Sequence, residues 1–207
     1  MVNLTEETLN EGLNYLAAQD ADLARVVNQH GPPVLRHRPQ GFSTLLKIIL
    51  GQQVSRSSAD STYQRLADAI GPPLPANFLA LDDESLRSIG FSRQKSRYGR
   101  ELAAALVDGR LDLDSLGAAG DDSVRATLTA LPGIGPWSAE IYLLFALRRS
   151  DAWPASDLGV IVGAQKVKNL SARPSRQELD GMAAAWRPWR GLAAFILWHG
   201  YQEIGAG

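Results

Sequence analysis

Apolar positions along this chain recur at helical spacing, and polar caps cut them into short segments. Thr5 and Asp20 stand where N-caps are expected for two short helices, the second stopped at Gly31 before Pro32-Pro33. Leu45, Leu46, Ile48, Ile49 and Leu50 form a near-continuous apolar run, which predicts a buried helix opening near Ser43. Ser55 heads a helix through Ile70, ended by Gly71-Pro72-Pro73; Asp82 heads a short one reaching Gly90, and Ser92 another reaching about Asp108. Asp114 and Asp121 each start one more. A helix from about Pro136 carries Ile141, Leu143, Leu144, Ala146 and Leu147, and further helices are expected near 158–167, 176–186 and 189–203. Valines and threonines are too scattered to form alternating strands, so the pattern predicts an all-α chain, without any repeat of 20–50 residues.

One interruption carries more than punctuation. In Leu131-Pro132-Gly133-Ile134-Gly135-Pro136-Trp137-Ser138-Ala139, Pro132 lacks an N–H and each glycine can take positive φ, so neither flanking helix continues through. Pro136 suits the first turn of the next helix, where its missing N–H would have no partner anyway. Two helices joined this way are expected to leave the N–H groups near Gly133, Gly135, Trp137 and Ser138 facing outward at the positive end of a helix dipole. That is an anion site a DNA phosphate can approach closely. The element reads as a helix-hairpin-helix, although a turn of this composition taken alone also serves as a plain link between helices. Asp157 follows Gly135 by 22 residues, in Ala155-Ser156-Asp157-Leu158-Gly159. By itself it reads as the N-cap of a new helix.

Composition narrows the options. A formal net charge of −1 argues against a general polyanion binder, so any nucleic-acid contact must be local. Between Ser85 and Arg100 the charged residues are Arg87, Arg93, Lys95, Arg97 and Arg100, with no acid among them. The acids gather in the first 22 residues, at Asp82-Asp83-Glu84, and from Asp108 to Asp122. The basic stretch reads either as a phosphate-facing side or as a solvated helix face. With no cysteine, disulfides, zinc-thiolate sites and iron–sulfur clusters are excluded. His30, His37 and His199 have no ligand spacing. The first residues lack the basic region of a signal peptide, and no apolar run approaches the ~20 residues that span a bilayer. A soluble protein without membrane contact is expected, in the cytoplasm with a bacterial-type chromosome.

The hairpin with Asp157, the stretch Ile49-Leu50-Gly51-Gln52-Gln53-Val54-Ser55, and Trp186-Arg187-Pro188-Trp189-Arg190 running to Leu197-Trp198 together resemble the helix-hairpin-helix (HhH-GPD) superfamily of base-excision DNA glycosylases. Within it they are most similar to the alkylbase branch, the 3-methyladenine DNA glycosylase II type. The resemblance implies an all-α fold of two helical lobes with a DNA-binding cleft between them and no iron–sulfur cluster. Residues 1–40 would pack with the C-terminal lobe, 41–149 would form the lobe holding the helix-hairpin-helix (about 122–149), and 150–207 the C-terminal lobe carrying Asp157.

It further implies a monofunctional DNA glycosylase of base excision repair that flips an alkylated purine such as 3-methyladenine out of duplex DNA and excises it by hydrolysis. Asp157 would be the catalytic carboxylate, stabilising the oxocarbenium-like sugar and orienting water. Trp137 stands where bifunctional relatives carry a Schiff-base lysine, and no lysine lies between Lys95 and Lys166, so lyase activity is not expected. Trp137 and Trp198 would wall the base pocket, an indole suiting a cationic base; Trp198 reads equally as a core residue. Ile141 holds a position where a member of the family carries tyrosine, with Tyr142 beside it. These two define either a more open pocket or a tyrosine turned into the core.

Gln53, or else Ser55, would be the wedge that fills the gap left by the flipped nucleotide; the alternative is that Gln52 and Gln53 cap the preceding helix. Gly133, Gly135, Trp137, Ser138, Arg93 and Lys95 are the expected phosphate contacts. The carbonyls of Thr129, Leu131 and Ile134 are candidate ligands for a monovalent cation at the hairpin, with no cofactor required. Damaged double-stranded DNA is the expected partner of a monomer. A glycosylase for other damaged bases and a non-catalytic DNA-binding module are the remaining readings.

Overall fold

The computed structural model describes residues 2–204, the last by its backbone alone. Its helices are α1 (Glu6–Gln19), α2 (Ala21–His30), α3 (Phe42–Leu50), α4 (Arg56–Ile70), α5 (Pro75–Leu79), α6 (Asp83–Ile89), α7 (Arg93–Val107), α8 (Asp121–Thr129), α9 (Pro136–Phe145), α10 (Leu158–Val167), α11 (Arg176–Ala183) and α12 (Arg190–Ile204), with 3-10 turns at Ser115–Gly117 and Ala184–Trp186. No strand runs among the described residues; Asn3 and Arg149 form an isolated bridge. The all-α expectation holds. The caps do as well where a side chain meets its own helix: Thr5, Asp20, Ser55, Asp82, Ser92 and Asp157 each accept a backbone N–H of the first turn.

Local details sharpen or correct the sequence reading. Helix α3 starts at Phe42, next to Ser43 as expected, with Gly41 at the cap position; the hydroxyls there serve loops, Ser43 donating to the Pro73 carbonyl and Thr44 to that of Pro39. Helix α8 starts at Asp121 as expected, with Gly120 at the cap position, and Asp121 and Asp122 occupy its first turn, where negative charge suits the dipole. Asp114 heads only a 3-10 turn, and the Asp112 carboxylate takes the N–H groups of Asp114 and Ser115. Helix α5 has no counterpart in the sequence reading: Pro75 opens it from the first-turn position proline tolerates, and it delivers the fully buried Phe78.

The chain divides into two units, Met1–His37 with Leu143–Gly207, and Arg38–Tyr142. In the first unit α10 packs along α12, and α2 and α1 complete the layer. Gly163 lets α10 approach the Leu197 carbonyl so closely that a Cβ would collide with it. Leu16, Leu23, Val160, Val167, Leu192, Leu197 and Trp186 form the core, and Trp186 donates to Asp20, itself paired with Lys168.

In the second unit α7 is central, packed on α5 and α3. Phe78 sits between the Phe42 and Phe91 rings, with centroids 5.7 and 5.5 Å away, and against Gly99. Leu45, Leu46, Ile49, Leu66, Leu86, Leu102 and Leu128 fill the remainder.

The unit limits differ from the breaks at 40/41 and 149/150 expected from sequence, since the second falls inside α9. Beyond Tyr142, α9 serves the other core: Phe145 packs on Phe195 and Trp198 at 5.3 and 5.6 Å, and Leu144 lies over Gly191.

Candidate active site

The hairpin is built from α8, the turn 130–135 and α9. Its two arms are joined by Arg125, whose guanidinium makes a forked pair with Glu140, Nε–Oε1 2.5 Å and Nη2–Oε2 3.3 Å. In the turn, the Ile134 N–H closes on the Leu131 carbonyl at 3.1 Å. Gly133 lies in the left-handed region at φ 86°, and a Cβ there would run into the Tyr98 ring of α7. Gly135 differs. Its φ is not positive, and a Cβ would meet nothing within 4 Å. Only Gly133 is therefore a glycine for the turn's own sake; Gly135 leaves an uncovered approach to the start of α9. The ladder of α9 begins with the Ala139 N–H on the Gly135 carbonyl.

Ser138 is buried, at 2% exposure, and its hydroxyl accepts from the Gln52 amide at 3.0 Å. Its hydroxyl is thus committed inside the protein. Trp137 is half-buried, whereas Ile141 is buried. Tyr142 is fully buried and its hydroxyl accepts the Gly41 N–H at 3.2 Å, which corrects its expected place in a base pocket. One step of about 100° beyond Ile141, it is a core residue that fixes the entry to α3.

Around the turn between α3 and α4, Gln53 is exposed with φ 58°, and Val54 beside it is also exposed. Ser55 is committed as the cap of α4, accepting from Ser58, so of the two wedge candidates Gln53 is the one with an uncommitted role. Lys95 is partly buried. Its ammonium donates to the Leu50 carbonyl at 2.6 Å, closing the end of α3, and burial holds it below the ordinary lysine value. Arg93 is exposed and lines a groove of about 380 Å³ with Arg87, Arg97, Arg100, Asp83 and Glu101.

Asp157 and Trp198 lie in the other unit. Asp157 caps α10, Oδ1 accepting the Val160 N–H at 3.0 Å, and the same oxygen accepts the Trp198 indole N–H at 2.9 Å. Trp198 is half-buried, held edgewise by Phe195 and tilted against Phe145. Neither alternative drawn from sequence, pocket wall or core residue, included this bond. Gly159 makes room for it: a Cβ there would stand 2.9 Å from the indole and 3.1 Å from Oδ1. Leu158, next to the carboxylate, is 62% exposed.

Sequence reasoning missed Tyr98, the Arg125–Glu140 pair and the reach of Gln52. The one available signal was the paired glutamine after a buried helix, where a single polar residue would have sufficed to end it. Among the described residues no helix is long and apolar enough to cross a membrane.

A family model described as the HhH-GPD superfamily base excision DNA repair protein matches residues 46–190. A putative DNA-3-methyladenine glycosylase of Bacillus subtilis is 26% identical over 184 residues, 85% of this chain and 64% of the relative. A probable bifunctional transcriptional activator/DNA repair enzyme AlkA of Mycobacterium tuberculosis is 35% identical over 191 residues, 86% of this chain and 37% of the relative. The chain thus spans less than two thirds of the length of both. The solved structure of the Schizosaccharomyces pombe 3-methyladenine DNA glycosylase in complex with abasic DNA superposes with a TM-score of 0.84 at 25% identity, covering 91% of this chain and 95% of that one.

The two hairpin glycines separate in a stability measurement. Gly133→Ala forces a side chain into a left-handed residue and against a ring, costing about 2–4 kcal/mol, and its melting temperature falls by several degrees. Gly135→Ala melts within about 1–2 °C of wild type, since its methyl meets open space. Calorimetry of both variants checks the contrast.

Proposed function

The chain belongs to the HhH-GPD superfamily of base excision DNA repair proteins, and on that premise we propose that it is a monofunctional DNA glycosylase that excises alkylated purines such as 3-methyladenine from double-stranded DNA. The observation that carries this reading is the Asp157 carboxylate, held through Oδ1 by the Val160 N–H and the Trp198 indole. A module that only gripped DNA would have no need of a carboxylate facing it, which would repel phosphate. The names of the curated relatives and of the solved neighbour point the same way.

A purine alkylated at a ring nitrogen carries positive charge and leaves readily, so one carboxylate suffices where ordinary glycosides need two. As the bond between sugar C1′ and the base nitrogen breaks, the base takes the bonding pair and departs neutral. Positive charge develops on the sugar, which Asp157 stabilises. The carboxylate then orients the water that adds to C1′ and takes up its proton, leaving an abasic site. The two N–H donors on Oδ1 fix the rotamer from which it acts. The Trp137 indole supplies a π face for the cationic base, worth ~0.5–2 kcal/mol depending on desolvation. Ile141 in place of an aromatic residue makes that pocket less selective for stacking.

The hairpin grips the backbone through the amides ahead of the first rung of α9, with Gly133 shaping the turn and Gly135 leaving the path open. Arg93 adds charge from α7, and Gln53 enters the duplex as the wedge. The hairpin also fits a monovalent cation: Thr129 ends α8, so its carbonyl lies beyond the helix ladder, and Leu131 uses one lone pair on Ile134. With the Ile134 carbonyl these are neutral oxygen donors suited to a hard ion, which would neutralise a bound phosphate.

Asp157→Asn keeps the side chain's shape but removes its charge; single-turnover release of 3-methyladenine falls by ~10²–10³-fold or more, while affinity for an abasic-analogue duplex is kept or rises. Near-wild-type release would sink the assignment. Because an indole cannot form a Schiff base, borohydride traps no protein–DNA adduct, and strands break only after alkali; a trapped adduct would instead demand an amine nucleophile. Gly135→Ala, which leaves the fold intact, weakens binding to damaged and undamaged duplex alike in fluorescence anisotropy. Unchanged affinity would remove the hairpin from the phosphate grip.

A further inference from the structure

The Gln52 amide reaches 81 and 86 residues along the chain, from the turn after α3 to both sides of the hairpin. Its Nε2 donates to the Gly133 carbonyl at 2.8 Å and to the Ser138 hydroxyl at 3.0 Å. An amide nitrogen has two hydrogens, and both are used. One partner lies in the hairpin turn, the other in the first turn of α9, so a single side chain clasps the two parts of the motif that meet phosphate. Capping α3 does not explain this. Lys95 and the local backbone close that helix end: Lys95 donates to Leu50, Gly51 N–H to Lys47 and Gln52 N–H to Ile49.

The residue that follows makes the arrangement more pointed. Gln53 is held at φ 58°, which a non-glycine residue adopts only where its surroundings impose it. The loop is held on one flank by Lys95 and on the other by Gln52, and at its far end by Ser55 as the cap of α4. Gln53 and Val54 are left exposed at its apex. A loop fixed at three points with a strained, exposed apex is built to present that apex in one place.

We infer that Gln52 is a positioning residue for base flipping: it locks the Gln53 loop to the hairpin, so that insertion into the duplex is registered against the gripped phosphate. This rests on the reading above that the hairpin holds the backbone and Gln53 enters the stack. Gln52 need not touch DNA. Its contribution is that the wedge enters at a fixed offset from the hairpin, and a misplacement of about 1 Å in such an arrangement costs ~10²-fold in rate.

The test separates grip from insertion. Anisotropy with an undamaged duplex reads the grip; stopped-flow fluorescence of 2-aminopurine beside a tetrahydrofuran abasic analogue reads unstacking as the wedge enters. Gln52→Met keeps the length of the side chain and loses both bonds. Its affinity for undamaged duplex is expected within about twofold of wild type, with unstacking slowed about tenfold or more. Gln53→Ala slows unstacking in the wild-type background and adds little in the Gln52→Met background, since a wedge already out of register has little left to lose. Ser138→Ala removes one acceptor and gives a smaller slowing of the same sign; it decides the matter should Gln52→Met fail to fold. The inference is overturned if Gln52→Met unstacks at the wild-type rate, if the two costs multiply, or if grip and unstacking fall in proportion, which would reduce Gln52 to shaping the hairpin. A wild-type protein that neither unstacks the reporter nor excises a lesion overturns the proposed function as well; one that does both while Gln52→Met matches it overturns this inference alone.

Discussion

At Gly133 the backbone turns left-handed with the face of Tyr98 where any other residue would carry a Cβ. Much of the second unit's chemistry is arranged from that contact. Tyr98 belongs to α7, the helix on which α3 and α5 pack, so the hairpin turn is seated on the unit's central element. The Gly133 carbonyl, placed by the same turn, is where Gln52 attaches the loop after α3. Behind the turn, Arg125 and Glu140 join the two arms. Residues from three helices and one loop therefore meet at or just behind six residues of turn.

The first unit solves a different problem, holding one carboxylate in a chosen orientation. Capping does half of this, because the Val160 N–H draws Oδ1 onto the start of α10. The Trp198 indole does the other half from α12, and its own position depends on Phe145, Phe195 and the missing side chain at Gly159. Asp157 is an ordinary helix cap, and the catalytic role proposed for it does not conflict with capping: the cap settles where the carboxylate would act.

Features governed by neighbours in sequence were legible in the chain. Thr5, Asp20, Ser55, Asp82, Ser92 and Asp157 were readable as caps because each reaches a backbone N–H two or three residues on. The hairpin was legible for the same reason, its proline and Gly133 acting on their own φ angles. What the local pattern left open was decided by distant partners. The Ser43 hydroxyl goes to the Pro73 carbonyl and not to its own helix. The Lys95 ammonium reaches the open end of α3. Pocket and core were both open for Tyr142, and its burial with the Gly41 amide on its hydroxyl decides for the core. Helix α5 was hidden by its prolines, which stop one helix and start another with the same ring.

The bracing of the hairpin bears on the entropy of binding. A loop that is ordered only when its ligand arrives loses conformational freedom at that moment, of order 1–2 kcal/mol for each residue fixed. Here the turn is already held by a tyrosine ring and a forked ion pair, so that loss was incurred during folding. A chain with a net charge of −1 cannot offset an ordering cost with a surplus of cations. For the grip proposed above, rigidity would take the place of charge, supplied by amides that need not be gathered before they act.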